Sequence, residues 1–250
     1  MYSTRKSPWV VLVCLIVFLV VGCANTQNSK SSDSKKQYFD TPEAAIKFFV
    51  KNIAEENAEA ALLAFPIDED MRKFQFTKYS KLYALIRPKE NLAPSEYEFF
   101  LNTNKWESTG KNAKELRAFM YGFLGVESVE DYITVSKESD AFQFIDQVNP
   151  KLLRELKIVE IAPMGDSNKI AKKTWTEEAQ VFGATQLVER AVLYEISGIN
   201  YYGGFRLLNY ENSWRIFTVY PILTGFQFKK FPIARTTPNQ FQNEIKPLGK

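Results

Sequence analysis

Three arginines near the end of the chain, Arg190, Arg206 and Arg215, are placed so that the sequence could gather them on one patch. A guanidinium is a planar fork of donors suited to a carboxylate, sulfate or phosphate. The gathering depends on three stretches, residues 186–197, 201–210 and 213–220, rich in β-branched and aromatic residues and split only by tight-turn signals. The pair Glu211-Asn212 is the shortest hairpin connection, and three residues including Gly198 and Asn200 separate the first two strands. If Tyr210 faces Ser213, then Leu207 meets Ile216, Leu208 meets Arg215 and Asn209 meets Trp214. If Ser197 faces Tyr201, then Leu193 meets Phe205, Arg190 meets Leu208 and Glu189 meets Asn209. One face, expected to be buried, then carries Ala191, Leu193, Phe205, Leu207, Trp214 and Ile216. The other carries the three arginines among Val192, Tyr194, Leu208 and Phe217. That is a candidate site for an anion or an acidic partner. The alternative is a solvated outer face whose arginine stems cover apolar neighbours.

Other chemistry is sparse. The chain has no histidine, which removes the commonest general base and metal ligand. It has no phosphate-binding glycine loop, zinc-type spacing or nucleophile elbow. Asp68-Glu69-Asp70 lacks the glycine and distal glutamate of a calcium loop and reads as an acid-rich helix start. Glu55-Glu56 and Glu177-Glu178, adjacent in sequence, read as solvated. No cofactor, metal or catalytic residue is assigned.

The N-terminus carries the sharpest signal. Arg5 and Lys6 precede an apolar run from Trp9 to Val21, too short to span a bilayer as a mature helix. Its end, Val20-Val21-Gly22-Cys23, resembles a bacterial lipobox, in which the cysteine is lipidated and becomes the new N-terminus. An ordinary cleavage site would want a small residue where Val20 stands. Residues 1–22 are therefore read as a lipoprotein signal peptide, and Cys23 as the lipid anchor to the bacterial cell membrane. Cys14 would leave with the signal, so no disulfide framework is expected. Losing Arg5 and Lys6 lowers the formal charge from +3 to +1, which gives no reason to propose nucleic-acid binding. Residues 23–37 are polar and aperiodic, a flexible tether.

Thr41-Pro42-Glu43 opens a helix whose stripe is Ala45, Ile46, Phe49, Val50 and Ile53, and a second short helix ends before Pro66. A helix is expected around residues 70–85, and another after a capping-box-like Asn112-Ala-Lys-Glu115, with Leu116, Phe119 and Phe123 on one face and a stop at Gly125. One helical turn follows Asn149-Pro150, then a strand over 156–162 and a helix over 168–182. Gly203-Gly204 suggests a bulge or bend in the middle strand.

The run Thr-Pro-Glu-Ala-Ala-Ile-Lys-Phe-Phe with Asn-Ala-Glu-Ala-Ala-Leu, and the closing pattern from Tyr202-Gly203-Gly204 to Ser213-Trp214-Arg215-Ile216, resemble NTF2-like (cystatin-like cone) domains of secreted bacterial lipoproteins. The resemblance implies an α+β fold in which a bent antiparallel sheet wraps around N-terminal helices. Residues 38–225 would form that domain, with a helical insertion at about 66–148 and a basic, proline-containing tail over 226–250 draped on the surface. Such enzymes keep acid/base residues at the mouth of the cone. Here Glu189, Asn209 and Trp214 are the pocket candidates, and Glu189 with Asn209 reads equally as one satisfied polar pair. The reading is an extracytoplasmic, lipid-anchored, non-catalytic module that binds an envelope protein or polymer. The alternative is a small-molecule binder or lyase-type enzyme using the cone, and a cone filled by Phe49, Phe205 and Trp214 would favour the first.

Overall fold

Thr41 and Pro42 start the first helix as their chemistry requires. The Thr41 hydroxyl accepts from the Ala44 amide at 3.1 Å, and Pro42 occupies a position whose N–H would have no helical partner. In the computed structural model, residues 37–89, 91–126, 134–164, 169–219 and 232–245 are described. Helix α1 spans Pro42–Ala54, α2 Ala58–Leu62, α3 Ile67–Lys73, α4 Phe76–Tyr83, α5 Glu98–Phe123 and α6 Glu138–Gln147. A 3-10 turn, Pro150–Leu153, leads into β1 (Lys157–Met164) and α7 (Lys169–Val181). Then come β2 (Gln186–Ile196), β3 (Ile199–Tyr210), β4 (Ser213–Thr218), β5 (Ile233–Arg235) and α8 (Pro238–Ile245).

The five strands form one antiparallel sheet in the order β1-β2-β3-β4. β5 shares the edge of β3 with β4, pairing with Tyr201–Gly203 while β4 takes Arg206–Tyr210. Bulges interrupt β1 near Ile158 and the β3–β4 ladder beside Leu207, so the sheet bends there and not at Gly203-Gly204, where pairing with β2 is regular. Gly203 has another use. A Cβ there would lie 2.7 Å from Ile233 Cδ1 and 2.9 Å from the Pro232 carbonyl oxygen. Gly203→Ala should therefore cost about 1–3 kcal/mol in urea denaturation, whereas Gly110→Ala, in open space on α5, should gain about 1 kcal/mol. Equal effects from the two would remove the crowding argument.

The second hairpin has the expected register, with Leu207 on Ile216, Leu208 on Arg215 and Asn209 on Trp214. The first does not. Ser197 and Gly198, at φ 48° and 76°, make a two-residue turn, so Ile196 faces Ile199 and Leu193 faces Tyr202. This odd slip turns β2 over relative to expectation. Val188, Val192 and Tyr194 join Phe205, Leu207, Trp214 and Ile216 in the main core, while Ala191 and Leu193 pack on the opposite face with Met164 and Phe241. A third cluster joins Trp175 and Ala179 of α7 to Leu187, Leu208 and Phe217. The sheet is covered on both faces.

Helices of the expected insertion belong to the same core, since Leu116, Phe119 and Phe123 of α5 join the α1 stripe. The helix expected over 70–85 is broken, because Phe74 turns extended (ψ 127°) to bury its ring beside Phe182 while the Gln75 amide donates to the Val181 carbonyl. α5 runs straight through Asn112, whose side chain donates to Ser108 within the helix and forms no cap. The tail is not simply draped: it contributes β5, and α8 buries Phe241. Among the described residues no helix is long and apolar enough to cross a membrane.

Candidate functional site

The concave side of the sheet is filled. Phe49 of α1 meets Phe205 at 6.0 Å between ring centroids and Phe119 of α5 at 5.2 Å, and Phe119 meets Tyr194 at 5.8 Å. These rings, with Trp214, are buried in one continuous core. Asn209 and Trp214 do pair, but Asn209 uses its side-chain oxygen to accept from the Asn212 amide in the hairpin turn. Glu189 leaves them. The corrected register sets it opposite Arg206 on the outer face, and Gln186 takes the place beside Asn209.

The same slip separates the arginines. Arg190 lies on the core-facing side, donating from Nε to Glu43 at 2.6 Å at the start of α1. Arg206 and Arg215 share the outer face, but each is already engaged. Arg206 makes a two-pronged contact with Glu178 of α7 at 3.0 and 2.6 Å, and its Nε lies 3.3 Å from Glu189. Glu178, expected in solvent, is 8% exposed. Arg215 donates to the Gln37 and Trp214 carbonyls, stacks over Phe39 and faces Glu69 at 3.8 Å. The expected three-arginine anion site is not formed. Cys23 lies outside the described residues.

What the structure assembles instead lies between α3 and α5. The inward stripe of α5 is polar at its N-terminal half, Asn104, Ser108 and Asn112, and apolar at its C-terminal half, Leu116, Phe119 and Phe123, all buried. Asn104 grips the Ala93 backbone through both ends of its amide, fixing the loop before α5. Ser108 donates to Asp70 Oδ2 at 2.8 Å. Asp70 is 6% exposed, and its Oδ1 has no hydrogen-bond partner. Burial pushes its carboxyl up to about 7, against the pull of Lys111 and the Ser108 hydroxyl and with the help of Glu69 and Glu115. Burial likewise raises Glu115, whose Oε2 accepts from the Val219 amide.

Asp70 lines a cleft of about 210 Å³. Phe74, Leu92 and Phe182 supply apolar wall; Tyr79, Asn91, Glu107, Ser108 and Lys111 supply polar groups. A shallower depression of about 400 Å³ between α4 and α7 is lined by Lys78, Lys81 and Glu177, all exposed, and holds no buried polar group. A cleft with a perturbed carboxyl and few converging polar groups has the features of a ligand site. Adjacent acids gave no hint of it in the sequence. The usable signal was the polar half of the α5 stripe, at spacings of four in line with Leu116.

No protein-family model matches the chain, and no curated protein matches it. Among solved structures it is similar to a cystatin-like protein from Ruminococcus gnavus ATCC 29149, with a TM-score of 0.54 and 18% identity. The match covers 84% of this chain and 44% of that one, so this chain spans less than half the length of its structural neighbour. The likeness shows the fold: a mixed α+β, cystatin- or NTF2-like cone with a bent antiparallel sheet.

Proposed function

We propose that the protein is a lipid-anchored, extracytoplasmic binding module of a bacterial cell envelope that performs no catalysis in its cone. The observation that carries the reading is the filled concave side. Phe49, Phe119, Phe205 and Trp214 occupy the space in which a cone enzyme would hold substrate. Support for the address comes from the charged-then-apolar start ending at Val20-Val21-Gly22-Cys23 and from the polar tether after it. A tethered domain needs no membrane-crossing helix of its own.

Expression with radiolabelled palmitate, followed by detergent-phase partitioning, tests the anchor. The wild-type chain should carry label and enter the detergent phase, and Cys23→Ala should lose both. A variant that still partitions as the wild type does would refute the lipid anchor. The non-catalytic half has its own test. Phe205→Ala should lower stability and open no activity, because the residue serves packing. Hydrolase, lyase or isomerase turnover lost on that substitution, with the fold intact by circular dichroism, would return the reaction to the cone.

A further inference from the structure

The outward face of α5 carries large aromatic rings where a solvated helix face is ordinarily polar. Phe99, Trp106, Gly110, Ala113 and Arg117 follow one another at spacings of seven, four, three and four, and all are exposed. They stand opposite the buried stripe of Asn104, Ser108, Asn112 and Leu116. At 80% and 70%, Phe99 and Trp106 are the two most exposed large apolar side chains among the described residues. The Phe99 ring lies 5.5 Å from Phe100 between centroids, and Phe100 lies 6.1 Å from Tyr97, which is exposed as well. A Cβ added to Gly110 would meet nothing within 4 Å, so the middle of the stripe is open. Contiguous exposed rings of this kind mark an interaction surface.

Three observations say what covers it. The first is chemistry: tryptophan and tyrosine join an apolar ring to a polar tip and settle in the headgroup layer of a bilayer. The second is charge. Lys114 and Arg117 are exposed at the far end of the stripe, and none of the acids of α5, Glu98, Glu107 and Glu115, falls on it. Such a face suits an anionic lipid surface. The third is the place where the chain enters the domain. The carbonyl of Gln37, the first described residue, accepts from Arg215, and Arg215 faces Glu69. Asp68, one residue before Glu69, pairs at 3.6 Å with Lys105, the neighbour of Trp106. The chain therefore enters on the α3–α5 side, beside the aromatic end of the stripe. As a coil, the residues between Cys23 and Gln37 span about 20 Å, and Phe99 to Trp106 takes up about 10 Å of helix. An anchor at Cys23 keeps this end of α5 within reach of the bilayer.

We infer that the outward stripe of α5 docks on the anionic bilayer that carries the anchor. Phe99 and Trp106 enter the headgroup layer, and Lys114 and Arg117 meet lipid phosphates. The inference rests on the lipid-anchor reading and gives the module an orientation. The sheet then stands between the bilayer and the helices α7 and α8 of its outer face.

Tryptophan emission reads the docking. In the full-length chain carrying Trp9→Phe, Trp106 is the one exposed tryptophan, since Trp175 and Trp214 are buried. The chain is floated on vesicles of phosphatidylcholine and phosphatidylglycerol in equal parts, so that only bound protein is read, and is quenched with brominated phospholipids. Emission should shift to the blue and be quenched, and Trp106→Phe should remove that quenching. Arg117→Gln should weaken docking about fivefold, the worth of one basic contact, and change nothing on phosphatidylcholine alone. Phe99→Ser should weaken it on both. Floated protein with Trp106 unquenched would overturn the docking and leave the anchor standing, and a wild-type chain that does not float would overturn both. Quenching undiminished by Phe99→Ser would also overturn the docking, and an Arg117→Gln chain that docks as before would overturn the phosphate contact. Quenching retained in a floating Cys23→Ala chain would refute the anchor while the face still docks.

Discussion

Arg206→Leu should cost the fold about 3–5 kcal/mol, because it strips the cation from two buried carboxylates. Arg206 stands between Glu178 and Glu189, whose side chains are 11% and 2% exposed. The three come from different elements: Glu178 from α7, Glu189 from β2 and Arg206 from β3. Their pairing holds α7 on the outer face beside the Leu187, Leu208 and Phe217 cluster. Leucine fits the apolar neighbours but leaves two acids in a poorly solvated site. Urea denaturation at neutral pH reads the loss. Adding Glu178→Gln and Glu189→Gln to the arginine variant should recover most of it, since the penalty is uncompensated charge and not lost volume. A single-variant loss below about 1 kcal/mol, the range of exposed pairs, would show that the triad is solvated. The same occupancy argues against this arginine as an anion receptor, since its charge is already met by two carboxylates.

How much of this was legible follows from particular residues. Thr41-Pro42, the α1 stripe and the stop at Gly125 were readable because caps and a glycine with positive φ act locally. The second hairpin was readable because Glu211-Asn212, both at positive φ, leaves one pairing. In the first hairpin the three-residue turn expected between Ser197 and Tyr201 gives way to the two-residue turn Ser197-Gly198. Hydrophobic alternation could not decide between them, because β2 is apolar on both faces: Val188, Val192 and Tyr194 on one, Leu187, Ala191 and Leu193 on the other. A sheet covered on both sides loses the pattern that fixes register. From that slip came both site errors, Glu189 placed with Asn209 and Arg190 placed with the other arginines. The acids of α3 misled for another reason. Sequence shows a helix start rich in charge, and only the folded chain brings Ser108 of α5 against Asp70 and Arg215 of β4 against Glu69.

Asp70→Asn should make the protein more stable at pH 8, by up to about 4 kcal/mol, and should change it little near pH 4. The carboxyl sits at about 7 in the folded chain against an ordinary 3.8, raised by burial first and by Glu69 and Glu115 after it. Between those two values the unfolded chain has released the proton while the folded chain keeps it. Wild-type stability therefore falls as pH rises across that window, and the loss is complete above about pH 7. A gap of about three pH units corresponds to about 4 kcal/mol. Asparagine keeps the shape and can still accept from Ser108, but it never ionises. Denaturation midpoints of both chains at pH 4, 6 and 8 give the difference curve, which should open steadily toward the alkaline end. A flat curve, or an asparagine chain less stable at pH 8, would mean that Asp70 ionises normally, with enough water or compensating charge around it to remove the strain.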